Sequence, residues 1–346
     1  MLHSPVLILL ASLISLSAHP VPENAKWLTY PGEEGPGNGK HIVLIAADQE
    51  YRSEQAMPMM AGILSKHHDF DCTVLFGVNE KGQVDPTMPV YPKKGQEDEF
   101  KQHNIPGLEH LKSADLVIFF HRLLTLPEDQ LKHIATYLDS GKPIIALRTA
   151  NHGFRGRIPY EIGDKKNIDF GRDILGGAFM GHHGRWHADS TRGTIVEELK
   201  NHPIATGVTD IWGPSDVYRT YKEGSALPED CTALVWGQPL MGRSHDDEVN
   251  TKKEPLPVAW FKTWKTSEGK SARVFNTTMG SARDLQSEGL RRLVINAAYW
   301  GMGLEDKITP DRSVAYTGKY EPRASGFNYE KLGVKPQLPA AFRLKK

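Results

Sequence analysis

Only two cysteines, Cys72 and Cys231, occur in the 346 residues, too few for a disulfide framework and too far apart for a C-x-x-C zinc or redox motif. Each falls in a strand-like run and reads as a small buried side chain. No charge of either sign is in excess, since Lys plus Arg and Asp plus Glu each number 42. The chain therefore lacks the basic surplus that a nucleic acid or an anionic membrane surface attracts, and no nucleic-acid partner is expected. Beyond the first residues no apolar stretch reaches spanning length, which argues against stable membrane insertion after removal of a signal. There is no internal repeat, and any cofactor is unknown from the sequence.

The amino terminus carries an apolar run from Val6 to Leu16, followed by the small residues Ser17 and Ala18. That pattern reads as a secretory signal over residues 1–18, with an uncleaved anchor as the competing reading because little positive charge precedes the run, so a periplasmic or secreted protein is expected. Residues 19–40 are rich in Pro and Gly without an apolar period and read as an extended lead-in. A single α/β domain is expected over 41–305, and the Pro-rich, mixed-charge segment 306–346 reads as an irregular carboxyl-terminal tail.

From His41 the pattern is β-loop-α. The run His41-Ile-Val-Leu-Ile-Ala-Ala47 is a buried parallel strand by its continuous apolar content, and a helix is predicted over 54–67. The unit recurs at 70–78, at 115–120 with a helix over 127–140, and at 143–147. From Thr194 strand-like runs follow one another with few helices, and the theme returns with a strand over 272–276 and a helix over 287–300. The expected fold is a doubly wound, flavodoxin-like, mostly parallel sheet with antiparallel additions.

Ligands of open α/β sheets bind outside the carboxyl ends of the strands, where loops converge. Those ends carry Asp48, Glu50 and Arg52, then His121 and Arg122, then Arg148, Thr149 and His152, and finally Thr278. Arg148 is the sharpest, because a guanidinium following Ile-Ile-Ala-Leu sits near the buried centre of the sheet and requires a carboxylate or an anionic ligand. Asp48 or Glu50 is its expected partner.

A second cluster, Gly181-His-His-Gly-Arg-Trp-His187, places three histidines among glycines. His183 and His187 have the i, i+4 spacing of a helical metal pair, yet the glycines oppose a helix and no Glu lies between them. Metal ligation, hydrogen bonding to a sugar by neutral imidazoles, and structural packing are all open for this loop, with no metal assigned. Trp186 could stack on a sugar ring or serve packing.

At these residues the chain resembles the ThuA-like, or trehalose-utilisation, family. The likeness is carried by Tyr30-Pro-Gly-Glu-Glu-Gly-Pro-Gly, Asp48-Gln-Glu-Tyr-Arg-Ser-Glu, Leu147-Arg-Thr-Ala-Asn-His, Gly181-His-His-Gly, Thr277-Thr-Met-Gly and Ala-Tyr-Trp-Gly-Met-Gly-Leu-Glu-Asp. It covers nearly the whole chain after the signal and looks closest to the exported branch. The resemblance implies a class I glutamine-amidotransferase-like fold, with Thr149 where the amidotransferases place their cysteine and His152 in the place of their histidine. Cysteine-dependent amide hydrolysis is thereby rejected. It also implies a role in sugar metabolism, where relatives accompany dehydrogenases that make keto-sugars.

Acid-base chemistry on a glycoside or keto-glycoside follows as the leading expectation, with His152, His182 or His183 as proton carriers. Asp48, Glu50 and Arg148 would position the sugar, and Arg52, His121, Arg122, Thr149, Trp186 and Thr278 complete the candidate substrate contacts. The alternatives are a metal-dependent hydrolase using His182, His183 and His187, and a non-catalytic sugar-binding module. The expected partner is a small-molecule carbohydrate, and monomer and homo-oligomer are both open.

Overall fold

The computed structural model describes residues 24–158, 167–220 and 227–345, so the expected signal over residues 1–18 lies outside the described residues. Strands β1 (Leu28–Tyr30), β2 (His41–Ala47), β3 (Asp71–Phe76), β4 (Leu116–His121) and β5 (Ile144–Leu147) open the fold, with helices α1 (Ser53–His68) and α2 (Glu128–Asp139) between them. A two-residue ribbon pairs β6 (Gly181–His182) with β9 (Tyr218–Arg219). The remaining strands are β7 (Ser190–Ile195), β8 (Ile211–Gly213), β10 (Cys231–Leu240), β11 (Leu256–Lys265) and β12 (Ser271–Thr277), followed by helix α3 (Glu288–Gly301).

Ten strands form one sheet in the order β1-β3-β2-β4-β5-β12-β11-β10-β7-β8. The block β3-β2-β4-β5-β12 is parallel: α1 carries the chain from β2 back to the start of β3 and α2 from β4 back to the start of β5, while β12 joins beside β5 after the antiparallel strands. Everything beyond β12 is antiparallel, as expected where few helices intervene. The chain order within the parallel block reverses direction between β2 and β4, which makes their carboxyl ends the topological switch point.

The continuous apolar runs are explained by burial on both faces. Along β2, Ile42, Leu44 and Ala46 pack into one core cluster while Val43, Ile45 and Ala47 pack into the other. The first core lies under α1 and α3, and the second under α2 and the segments around Leu108 and Phe170. Each fully buried Ile, Leu or Val among these contributes about 1.5–3 kcal/mol relative to exposure.

Two expectations need correction. The lead-in is not devoid of regular structure: Leu28, Thr29 and Tyr30 pair antiparallel with Val74, Thr73 and Cys72, adding an edge strand to the parallel block. Leu28 and Tyr30 bury on one side while Thr29 faces out, a period too short to stand out amid Pro and Gly. The strand expected from Thr194 instead starts at Ser190, and 197–199 is a helical turn. The segment 306–345 runs back across α1 with short helical turns at Glu305–Lys307 and Pro339–Phe342, held by bonds such as His68 Nε2 to the Ser313 carbonyl and the Arg343 side chain to the Thr29 carbonyl.

Candidate active site

The loop leaving β2 is organised by Asp48. Its Oδ1 accepts from the backbone N–H groups of Glu50 and Tyr51, and its Oδ2 accepts from Thr149 Oγ1 at 2.8 Å. Asp48 and Thr149 are both buried, so the pair joins the turns after β2 and β5 rather than facing a ligand. Burial first, and the neighbouring Glu50 charge second, push the Asp48 carboxyl upward. Arg52 is also internal: its guanidinium donates to the carbonyls of Gln49 at 2.5 Å, Glu50 at 3.2 Å and Gly326 at 3.2 Å. It acts as a clamp on the loop.

Arg148 sits at the corner after β5 with a left-handed backbone, φ 47°, and is fully buried. Asp48 and Glu50 are not its ion-pair partners. The partner is Asp216, whose Oδ1 lies 2.9 Å from Nη2, and the guanidinium also donates to the carbonyls of Asp216 at 2.6 Å and Thr278 at 2.8 Å. The rings of Tyr218 and Tyr51 lie on it at 3.7 and 4.4 Å. A guanidinium so thoroughly engaged does not hold a substrate oxyanion. Thr278 likewise contributes its carbonyl here, and its side chain is buried.

Asp216 carries the charge onward. Its Oδ2 is 2.7 Å from His182 Nδ1, and the His182 side chain is 32% exposed. The ribbon explains the placement, since His182 pairs with Tyr218, two residues beyond Asp216. Gly184 lets the loop press this close, because a Cβ there would lie 2.9 Å from Asp216 Cβ. Burial would raise the Asp216 carboxyl, but Arg148 and His182 outweigh it and hold the carboxyl below the usual carboxylate range.

Glu50 anchors the other side. Its Oε1 accepts from Trp186 Nε1 at 2.8 Å and His187 Nε2 at 3.0 Å, and Oε2 lies 3.5 Å from Arg122 Nε. Burial raises this carboxyl too, and the hydrogen bonds from His187 and Trp186, with the Arg122 charge, turn the net shift downward. Between the two carboxylates runs a row of rings: His152 to Phe179 at 4.6 Å, Phe179 to His182 at 5.2 Å, His182 to Trp186 at 6.0 Å and Trp186 to His187 at 4.2 Å. Burial, then the fields of Arg122 and Arg148, hold the His152 imidazole well below its usual value, so it is neutral near pH 7.

Glu50, Arg122, His152, His182, Trp186 and His187 are thus brought together. His121 is not among them: it is fully buried between Phe119, Phe154 and Phe170, and burial pushes its imidazole down to about 3. His183 turns away, with Nε2 2.8 Å from the Glu254 carbonyl, on an open groove shared with Lys252 and Lys253. The imidazoles of His182, His183 and His187 therefore serve three different acceptors. Sequence reasoning missed Asp216, Tyr218, Phe179 and Phe327. Asp216 was signalled only by being the one acidic residue in the run 216–222.

Seven described non-glycine residues have positive φ, and four of them, Arg52, Leu123, Arg148 and His187, lie in the loops around this site. Backbone strain concentrated in this way is a feature of functional sites.

Comparison with known proteins adds the following. A family model described as ThuA, trehalose utilisation, matches residues 85–301, more than half of the 346 residues. A ThuA-like protein of Bacteroides uniformis superposes with TM-score 0.46 at 14% identity, over 81% of this chain and 98% of that one. A ThuA-like protein of Parabacteroides merdae gives TM-score 0.47 at 11% identity, over 89% of this chain and all of that one. The protein transport protein SEC13 of Lodderomyces elongisporus is 31% identical over 83 residues, 24% of this chain, so the chain spans about a quarter (26%) of that curated relative. The matched residues 85–301 include Arg122, Arg148, His152, His182 and Asp216, and the chain belongs to the ThuA, or trehalose-utilisation, family.

Proposed function

We propose that the protein is an exported carbohydrate-active enzyme that transfers a proton on a glycoside or keto-glycoside, with His182 as the proton carrier. The observation that supports this is the chain Arg148, Asp216, His182, with contacts of 2.9 and 2.7 Å leading from a fully buried guanidinium to a partly exposed imidazole. A carboxylate on Nδ1 fixes the tautomer that leaves Nε2 as the base and stabilises the imidazolium formed when it accepts a proton.

On a keto-glycoside, Nε2 takes the proton from the carbon beside the ketone, and the electron pair moves into the carbonyl to give an enolate. Arg122, whose guanidinium is paired only loosely with Glu50 at 3.5 Å, supplies the positive charge for that oxygen. Return of the electron pair either reprotonates the carbon or expels the β-glycosidic oxygen, and the imidazolium provides the proton in both cases. Neutral His152 hydrogen-bonds a hydroxyl. Proton transfer by a positioned group contributes roughly 10²–10⁴ in rate.

The test is exchange of the hydrogen beside the ketone when a keto-disaccharide is incubated in D2O, followed by proton NMR. Wild type is expected to exchange it or cleave the sugar, and His182→Ala and Asp216→Asn to slow both by about 10² or more. Sugar binding by wild type without either reaction would favour a binding module, and stoichiometric zinc or manganese in the purified protein would favour a metal-dependent hydrolase.

A further inference from the structure

Five large hydrophobic side chains are exposed among the described residues, and two of them, Trp186 at 47% and Phe327 at 40%, lie side by side at the candidate site. Their centroids are 6.2 Å apart and their planes 40° from each other, so the two rings are in tilted aromatic contact and form one exposed aromatic surface. The polar groups at its rim are those already described: Trp186 donates to Glu50, and the Arg122 guanidinium lies 5.2 Å over the Phe327 ring.

Phe327 comes from the segment after the last long helix, and it is held in place through Gly326. Gly326 N–H donates to the Glu50 carbonyl at 2.9 Å, and the Gly326 carbonyl accepts from buried Arg52 at 3.2 Å. Gly326 has φ 134°, which L side chains rarely adopt, and a Cβ there would meet His187 at 3.3 Å. The backbone is thus fixed immediately before an aromatic ring that leaves 40% of its surface exposed. The exposed part adds no packing energy in the free protein, and beside Trp186 it makes an apolar patch of the kind that marks a ligand contact.

We propose that Phe327 and Trp186 form a stacking platform for the C–H face of a pyranose ring, with Arg122, held by buried Glu50, taking a hydroxyl group at the ring edge, and that Phe327 is a specificity-determining residue of the site. An aromatic face packs against axial C–H groups, while the guanidinium bonds an equatorial hydroxyl in the plane of the ring. The platform therefore selects cyclic sugars over open-chain polyols with the same hydroxyls. This rests on the proposal that the site acts on a carbohydrate.

The test is saturation-transfer NMR and tryptophan-fluorescence titration with trehalose, methyl α-D-glucopyranoside and D-glucitol. Wild type is expected to bind the two cyclic probes, with transfer strongest to ring C–H protons, and to bind D-glucitol more weakly. Phe327→Ala should raise the Kd for the cyclic probes by about three- to tenfold, and Phe327→Tyr should restore it. Exposed Phe327 supports no core, so loss of folding does not confound the variant. Unchanged affinity in both Phe327→Ala and Trp186→Ala, with His182→Ala still defective in exchange, would overturn the aromatic platform and leave the proton-transfer reading standing. Absence of binding to any cyclic probe by wild type, together with absence of exchange, would overturn both.

Discussion

Arg148→Met tests the base of the site. The side chain is fully buried, makes hydrogen bonds to Asp216, Thr278 and Tyr51, and is covered by two tyrosine rings. Methionine fills much of the volume but strands the Asp216 charge and two buried carbonyls. Breaking a buried pair in this way costs about 3–5 kcal/mol, a large share of a total stability of about 5–15 kcal/mol. The urea midpoint should therefore fall steeply at unchanged m, and Arg148→Lys should fall between because it keeps the charge but loses the planar fork. Adding Asp216→Asn to Arg148→Met removes the stranded charge and should recover part of the loss, a non-additivity expected of residues in contact. The same variant shifts the pH profile. Asp216 is held below the usual range, so its ionised form stabilises the fold above that range and is lost as pH falls through the depressed value. Removing Arg148 lets Asp216 protonate at higher pH, so the acid limb of proton-transfer activity moves upward. A wild-type midpoint with an unmoved acid limb would refute the reasoning.

Two further outcomes are expected. His121 and His68 are buried and each is pushed down to about 3 by that burial, so between about 6.5 and about 3 the unfolded chain binds protons that the folded chain does not. Stability is thus fully present above about 6.5 and declines as pH falls toward 3; urea midpoints measured from pH 7 to 4 should show this, and His121→Phe, placed among three phenylalanines, should flatten the slope. The mature chain should begin near residue 18 or 19 in exported material, read by amino-terminal sequencing, and recovery of intact Met1 in a membrane fraction would oppose export.

Strands β2, β4 and β5 were legible because each is a nearly continuous apolar run, and the helices α1, α2 and α3 because the pattern that makes a helix is local. The need of Arg148 for a carboxylate was legible from its position after a buried strand. Its partner was not, because Asp216 arrives 68 residues later and is placed by a ribbon of only two residue pairs, which leaves no pattern in the sequence. His121 could have been read correctly. Along β4, Val117 and Phe119 enter one core while Ile118 and Phe120 enter the other, so the two-residue period sends His121 beneath the loop with Phe119. Phe327 was hidden by the reading of 306–346 as irregular surface, since a segment without regular structure gives no direction to its side chains.

The bond from Gly326 to Glu50 has a bearing on how far the site depends on the last stretch of the chain. Every described strand is complete by Thr277 and the last long described helix by Gly301. The sheet and the Arg148–Asp216–His182 chain are therefore built from residues that precede Gly326. The wall that carries Phe327 docks onto that scaffold through one backbone bond to Glu50 and one bond from Arg52. A chain cut short before Gly326 would keep the proton-transfer residues and lose the aromatic wall beside them.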